Sequence, residues 1–173
     1  MRRLPRRALA LPLLLGALTG GAAPPAAAAP GRGVLPVAGA SVVGAFDPPV
    51  VRWGAGHRGV DLAAAAGSTV VAPRDGVVTY AGILAGRGVL VLRHGATRST
   101  FEPVTALVPA GAAVSRGQPI GRLDAGHACA APACLHWGLK RGEDYLNPLA
   151  LLLGEVRLLS AADAAAIATQ ARG

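Results

Sequence analysis

Aromatic residues are scarce in this 173-residue chain, which has two Trp, two Tyr and two Phe, 3% in all. That scarcity removes the stacking platform used to hold single-stranded nucleic acid. The arginines are scattered rather than gathered on a stripe, so no nucleic-acid partner is expected. No apolar run approaches the about 20 residues that a membrane-spanning helix needs. Lysine occurs once, at Lys140, cysteine twice and histidine four times. With so few residues able to carry chemistry, the placement of each is informative. The 52% hydrophobic content overstates the core, because much of it is alanine, which buries little area.

The first residues account for part of this bias. Arg2, Arg3, Arg6 and Arg7 precede an apolar run from Ala8 to Leu18, and small residues then lead to Ala27-Ala28-Ala29 before Pro30. A basic n-region, a short apolar stretch and an A-x-A-like end read as a secretory signal over 1–29, cleaved after Ala29. Removing its four arginines leaves 13 basic against 9 acidic residues, so the net charge falls from +8 to +4. A mildly basic exported domain suits a polyanionic surface such as a cell wall, and equally suits ordinary solubility. After processing, no stable membrane span and a monomer are expected. Cys129 and Cys134 both lie in the exported part. Spacing and compartment favour a disulfide between them, with a metal-binding or free thiol pair as the other reading.

Residues 30–40 are rich in Pro and Gly and read as a linker. From 41 to 156 short β-branched runs recur between Gly, Pro and Asp, among them "TVVAP", "GVVTYAG", "GVLVLRH" and "CLHWGLK". The pattern predicts an all-β domain, with Asp75-Gly76 as a hairpin turn between two runs. The tail, 157–173, is predicted to hold a short Ala-rich helix that Ser160 would cap.

His57 and Asp61 form an H-x3-D pair, and His136 lies on the last predicted strand. Two imidazoles and a carboxylate make a three-ligand zinc set that leaves a position open for chemistry. The spacing alone fits a surface His–Asp pair just as well. His94, at a strand end before a Gly turn, reads as a surface residue. Trp137 reads as core, and Phe46, Trp53 and Tyr80 as packing or as lining for a substrate groove.

The ordered motifs go further. "GHRGVDLAAAAGSTVVAPRDGVVTYAG", "GVLVLRHG", "VSRGQPIGRL" and "CLHWGLKRGEDYLNPLALL" together resemble the lysostaphin/LytM-type peptidoglycan zinc metallopeptidases over about residues 41–154. The resemblance implies a small antiparallel β-sandwich-like domain that is secreted and acts on cell-wall peptidoglycan. It implies zinc held by His57, Asp61 and His136, with water activated at the metal to hydrolyse an amide. The chain departs from the family at two assisting histidines, where Pro103 and Cys134 stand. Neither proline nor a bonded cysteine moves a proton, which leaves turnover open. The alternative function is a non-catalytic relative that binds peptidoglycan or regulates a cell-wall hydrolase. His127, in the loop before the last strand, is the candidate catalytic substitute if the Cys129–Cys134 bridge brings it to the metal; otherwise it is an exposed loop histidine. Glu102, beside Pro103, is turned to the other face by strand alternation. "TVVAPRDGVV" and "SRGQPIG" also resemble lipoyl or biotinyl carriers, but those need a lysine at a hairpin tip, and Lys140 is placed in or just after the final strand.

Overall fold

The computed structural model describes residues 32–51 and 53–153. The expected export segment and the tail with its helix lie outside the described residues. The chain runs through β1 (Ser41–Gly44), β2 (Gly59–Ala63), β3 (Thr69–Val71), β4 (Gly76–Leu84), β5 (Arg87–His94), β6 (Thr97–Glu102), β7 (Val104–Ala106), β8 (Ala113–Val114), β9 (Pro119–Leu123), β10 (Cys134–Arg141) and β11 (Asp144–Leu146). A 3-10 turn over Pro148–Leu152 follows, with the Asn147 side chain accepting from the Leu149 amide. The fold is all-β. β1-β2-β10-β6-β5-β4-β8 form one antiparallel sheet, with β11 also on β10, and β3-β9-β7 form a second.

The strands form where the residue pattern has period two, and the two faces of the large sheet divide accordingly. On β10, Leu135, Trp137 and Leu139 are buried, while His136 and Lys140 alternate with them on the opposite face. Trp137 pairs with Phe101 of β6, and Phe101 pairs with Leu90 of β5. This inner face packs with Val70, Val104, Ile120 and Leu123 of the small sheet in one apolar cluster. Trp137 and Phe101 are fully buried, so truncating either to Ala costs about 3–5 kcal/mol. Residues ahead of β1 join this body. Gly33 donates to the Leu151 carbonyl, Val71 donates to that of Pro36, and Val37 is buried.

Three local expectations give way to tertiary pairing. Asp75-Gly76 does not close a hairpin, because β3 and β4 belong to different sheets and the chain crosses between them there. Asp75 instead accepts the Arg116 amide through its side chain. The tight turn that β4 does make is Ala85-Gly86, into β5, with φ of 50° and 80°, the doubly positive conformation that suits a two-residue loop. His94 is not a surface residue. It is buried on the inner face, its two ring nitrogens bonded to Ser99 Oγ and Thr97 Oγ1 at 2.8 Å each. Burial, reinforced by the nearby Arg74 charge, pushes its pKa down to about 4, so it is neutral in the fold. Trp53 and Tyr80 do not serve as core: Trp53 is 86% exposed, whereas Phe46 packs against the apolar cluster.

Candidate metal centre

The outer face of the large sheet carries the histidines. β2 and β10 lie side by side with Asp61 directly opposite His136, so both side chains leave the sheet on the same side. His57 precedes β2 and is held by a two-way backbone bridge to Asp47. Its Nδ1 donates to the Ala45 carbonyl at 2.6 Å. A carbonyl only accepts, so the proton sits on Nδ1 and Nε2 is left with a free lone pair. That Nε2 is 3.1 Å from Asp61 Oδ1 and 3.2 Å from His136 Nδ1, and His136 Nδ1 is 2.8 Å from Asp61 Oδ1.

Glycines make room for this approach. A Cβ on Gly59 would come within 2.7 Å of His136 Nε2, and one on Gly44 within 2.7 Å of Asp61 Oδ2. Among the described residues His57, Asp61 and His136 make one cluster, their donor atoms within 4.8 Å of one another. Ligands bound to zinc at about 2.0–2.1 Å on tetrahedral corners stand roughly 3.4 Å apart. The two nitrogens and one oxygen therefore fit a zinc ion in both chemistry and spacing.

The electrostatics favour the ligand forms. Burial works to raise the Asp61 pKa, but the His136 hydrogen bond and the His57, His127 and His136 imidazoles outweigh it, and the carboxyl is held below its ordinary value. Burial lowers His136, against the opposing pull of Asp61, and keeps its ring neutral. A carboxylate and neutral imidazoles are the states that bind a metal.

His127 reaches this cluster. Its Nε2 is 3.0 Å from Asp61 Oδ1, and its ring centroid is 5.4 Å from that of His136. It rides on the β9–β10 loop, and Cys129 and Cys134 are joined by a disulfide that ties this loop to the first residue of β10. Cys134 is fully buried, and Pro103 sits between β6 and β7.

Glu102 does not face away from the site. It lies directly opposite His136 in the β6–β10 ladder, so it shares the face of His136 and Asp61. Arg87 grips its carboxylate with two bonds, Nη2–Oε1 at 3.1 Å and Nε–Oε2 at 3.0 Å. Alternation counted from Pro103 misplaces Glu102 because the reference residue lies beyond the strand end. Counting across the sheet from His136, with Trp137 opposite Phe101 as the buried pair, is the signal that finds it.

Similarity to known proteins agrees with the geometry. The profile of Peptidase family M23 matches residues 55–148, more than half of the chain. An uncharacterized protein of Mycobacterium tuberculosis is 48% identical over 118 residues, covering 65% of this chain and 47% of that protein. The chain thus spans about half the length of the curated relatives it matches. Two solved structures share the fold. A zinc-containing peptidase of Vibrio cholerae is 24% identical with a TM-score of 0.56, over 66% of this chain and 38% of that one. The catalytic domain of the antimicrobial peptidase lysostaphin from Staphylococcus simulans is 24% identical with a TM-score of 0.54, over 63% of this chain and 89% of that one. On the span that the family profile covers, this chain belongs to Peptidase family M23.

Proposed function

We propose that this chain is a secreted zinc peptidase that hydrolyses an amide bond in the peptides of bacterial peptidoglycan. The observation that carries the reading is the convergence of His57, Asp61 and His136 on one point of an open sheet face. Family membership and the fold shared with lysostaphin support the substrate class, and the signal-like segment 1–29 supports export. Zinc held by these three residues would supply Lewis-acid polarisation of the amide carbonyl and make water a stronger acid.

The chain's own residues do the rest. The Ala45 carbonyl fixes the His57 tautomer, so that Nε2 faces the metal position. Asp61 offers its carboxylate Oδ1 beside the lone pairs of His57 Nε2 and His136 Nδ1, and His127 Nε2 lies 3.0 Å from the same oxygen. His127 is thus the candidate to move a proton where Pro103 and Cys134 cannot, while Glu102 shares the face with its carboxylate held by Arg87. Proton transfer by such a group is worth about 10²–10⁴ in rate.

Pro103 and Cys134 also favour a second reading, a non-catalytic relative that binds peptidoglycan or regulates a cell-wall hydrolase. Zinc content and cleavage of purified cell walls separate the two. The hydrolase reading requires stoichiometric zinc and cleavage abolished by His136→Ala, and cleavage unchanged in His127→Ala removes His127 from the proton-moving role. Stoichiometric zinc without cleavage overturns it in favour of the binding role.

A further inference from the structure

The outer face of the large sheet carries a second feature, a row of cations parallel to the metal row. Lys140 of β10 lies directly opposite Arg98 of β6, and Arg98 lies directly opposite Arg93 of β5. Neither pairing contains a register shift, so the three side chains share one face. It is the metal face, because Lys140 is four residues from His136 on β10 and Arg98 is four from Glu102 on β6.

Like charges directly opposite on neighbouring strands destabilise a sheet, with Cβ atoms only about 4.5–5.5 Å apart. This row has two such pairs in succession. Among the described residues the side chains of Arg93 and Arg98 have no hydrogen-bond or ion-pair partner. Lys140 has a loose contact with Glu143 at 3.9 Å, a residue whose side chain is 68% exposed. The row ends at Tyr145, opposite Lys140 on β11, whose ring holds the Lys140 ammonium at 4.6 Å and the Arg58 guanidinium at 5.6 Å.

Between the two rows the sheet floor is low. The intervening pair on β10 and β6 is Gly138 opposite Thr100, and a Cβ on Gly138 would meet Thr100 Oγ1 at 2.5 Å. At about 3.3 Å per residue the cationic row lies roughly 13 Å from the metal row along the strands. An extended peptide covers that distance in about four residues.

We propose that Arg93, Arg98 and Lys140 form a subsite for a carboxylate of the peptide substrate, about four residues from the bond that is cut. The inference rests on the peptidase reading of the metal face. An uncompensated pair of guanidinium forks is matched by a carboxylate, which accepts two parallel hydrogen bonds. The substrate neutralises a repulsion that the empty sheet must bear, so the row selects acidic peptides over neutral ones.

The test compares two fluorescein-labelled alanine peptides, one ending in two glutamates and one in two glutamines with an amidated terminus. Binding to the full chain is followed by anisotropy, with zinc and after chelation. The acidic peptide is expected to bind about tenfold more tightly than its neutral twin, the worth of one charge-assisted contact. Arg93→Gln/Arg98→Gln should erase the preference with zinc content unchanged and a melting temperature equal or higher, since a repulsion is removed. Arg98→Glu should turn the preference towards a lysine-ending peptide. Equal affinity for the first two peptides, or a preference that survives the double variant, overturns the proposal. So does a glycerol-phosphate oligomer that outcompetes the acidic peptide, which would assign the row to a phosphodiester polymer. Hydrolysis without the preference fails the subsite alone, whereas the preference without hydrolysis fails the peptidase reading alone.

Discussion

Gly59→Ala places one methyl group at a close backbone approach beneath the metal face. The new Cβ would lie 2.5 Å from the Trp137 carbonyl oxygen, 2.7 Å from His136 Nε2 and 2.8 Å from His136 Cε1. Ordinary contact needs about 3.5 Å, so β2 and β10 must part by roughly 1.0 Å and the His136 ring must retreat by roughly 0.8 Å. Two of the three atoms belong to the ring that offers Nδ1 to the cluster, and the third is backbone that cannot swing aside. Metal–ligand bonds tolerate only about 0.2 Å, so zinc affinity should fall by about 10–100-fold, the usual cost of losing support for a ligand. Overpacking should also cost about 1–3 kcal/mol of stability. Competition with a chromophoric chelator reads the affinity, and thermal melting reads the stability. Gly138→Ala is the control. Its Cβ meets the Thr100 hydroxyl, which can rotate, so zinc affinity should stay within about threefold. Wild-type affinity in Gly59→Ala would refute the idea that this close approach sets the position of His136.

Three further outcomes are expected. His94 is neutral in the fold with a pKa near 4, while the unfolded chain takes that proton near 6.5. Its contribution is therefore complete above about pH 6.5, falls as pH drops towards 4, and totals about 3 kcal/mol; urea midpoints should show this slope in the wild type and lack it in His94→Gln. The Cys129–Cys134 bridge closes a short loop, so Cys129→Ser/Cys134→Ala should cost about 2 kcal/mol. That variant should also bring cell-wall cleavage down to the level of His127→Ala with zinc retained, and full cleavage would sink the anchoring role given to the loop. Glu102→Gln disturbs a partly exposed ion pair and should change stability by under about 1 kcal/mol. If Glu102 moves a proton, kcat should drop by about 10²–10⁴ with zinc unchanged, and a loss under about tenfold would remove it from that role.

Local pattern in the chain was enough for the all-β class. Alternation across 134–141 placed Trp137 inside and His136 outside, because side-chain direction along a strand follows from its geometry alone. The resemblance carried by the ordered motifs named His57, Asp61 and His136 as a set. What it could not supply was the surroundings of that set. His94 looked like a surface residue because a Gly turn follows it, yet Ser99 and Thr97 reach it across the β5–β6 hairpin and satisfy both ring nitrogens inside the core. Asp75-Gly76 has turn chemistry, but the partner of β4 is β5 and not β3.

The chain by itself determined the strands, their buried stripe and the kinds of donor available, since these depend on residues two to four apart. Tertiary structure alone decided which residues share the metal face. The meeting of Asp61 with His136 and Glu102 is a matter of register between strands far apart in sequence. His127 arrives on a loop that a disulfide closes, and the opposition of Arg93, Arg98 and Lys140 comes from two further pairings. Register is set by the whole buried face packing at once, because a slip of one residue would turn every side chain over, and no local stretch carries that information.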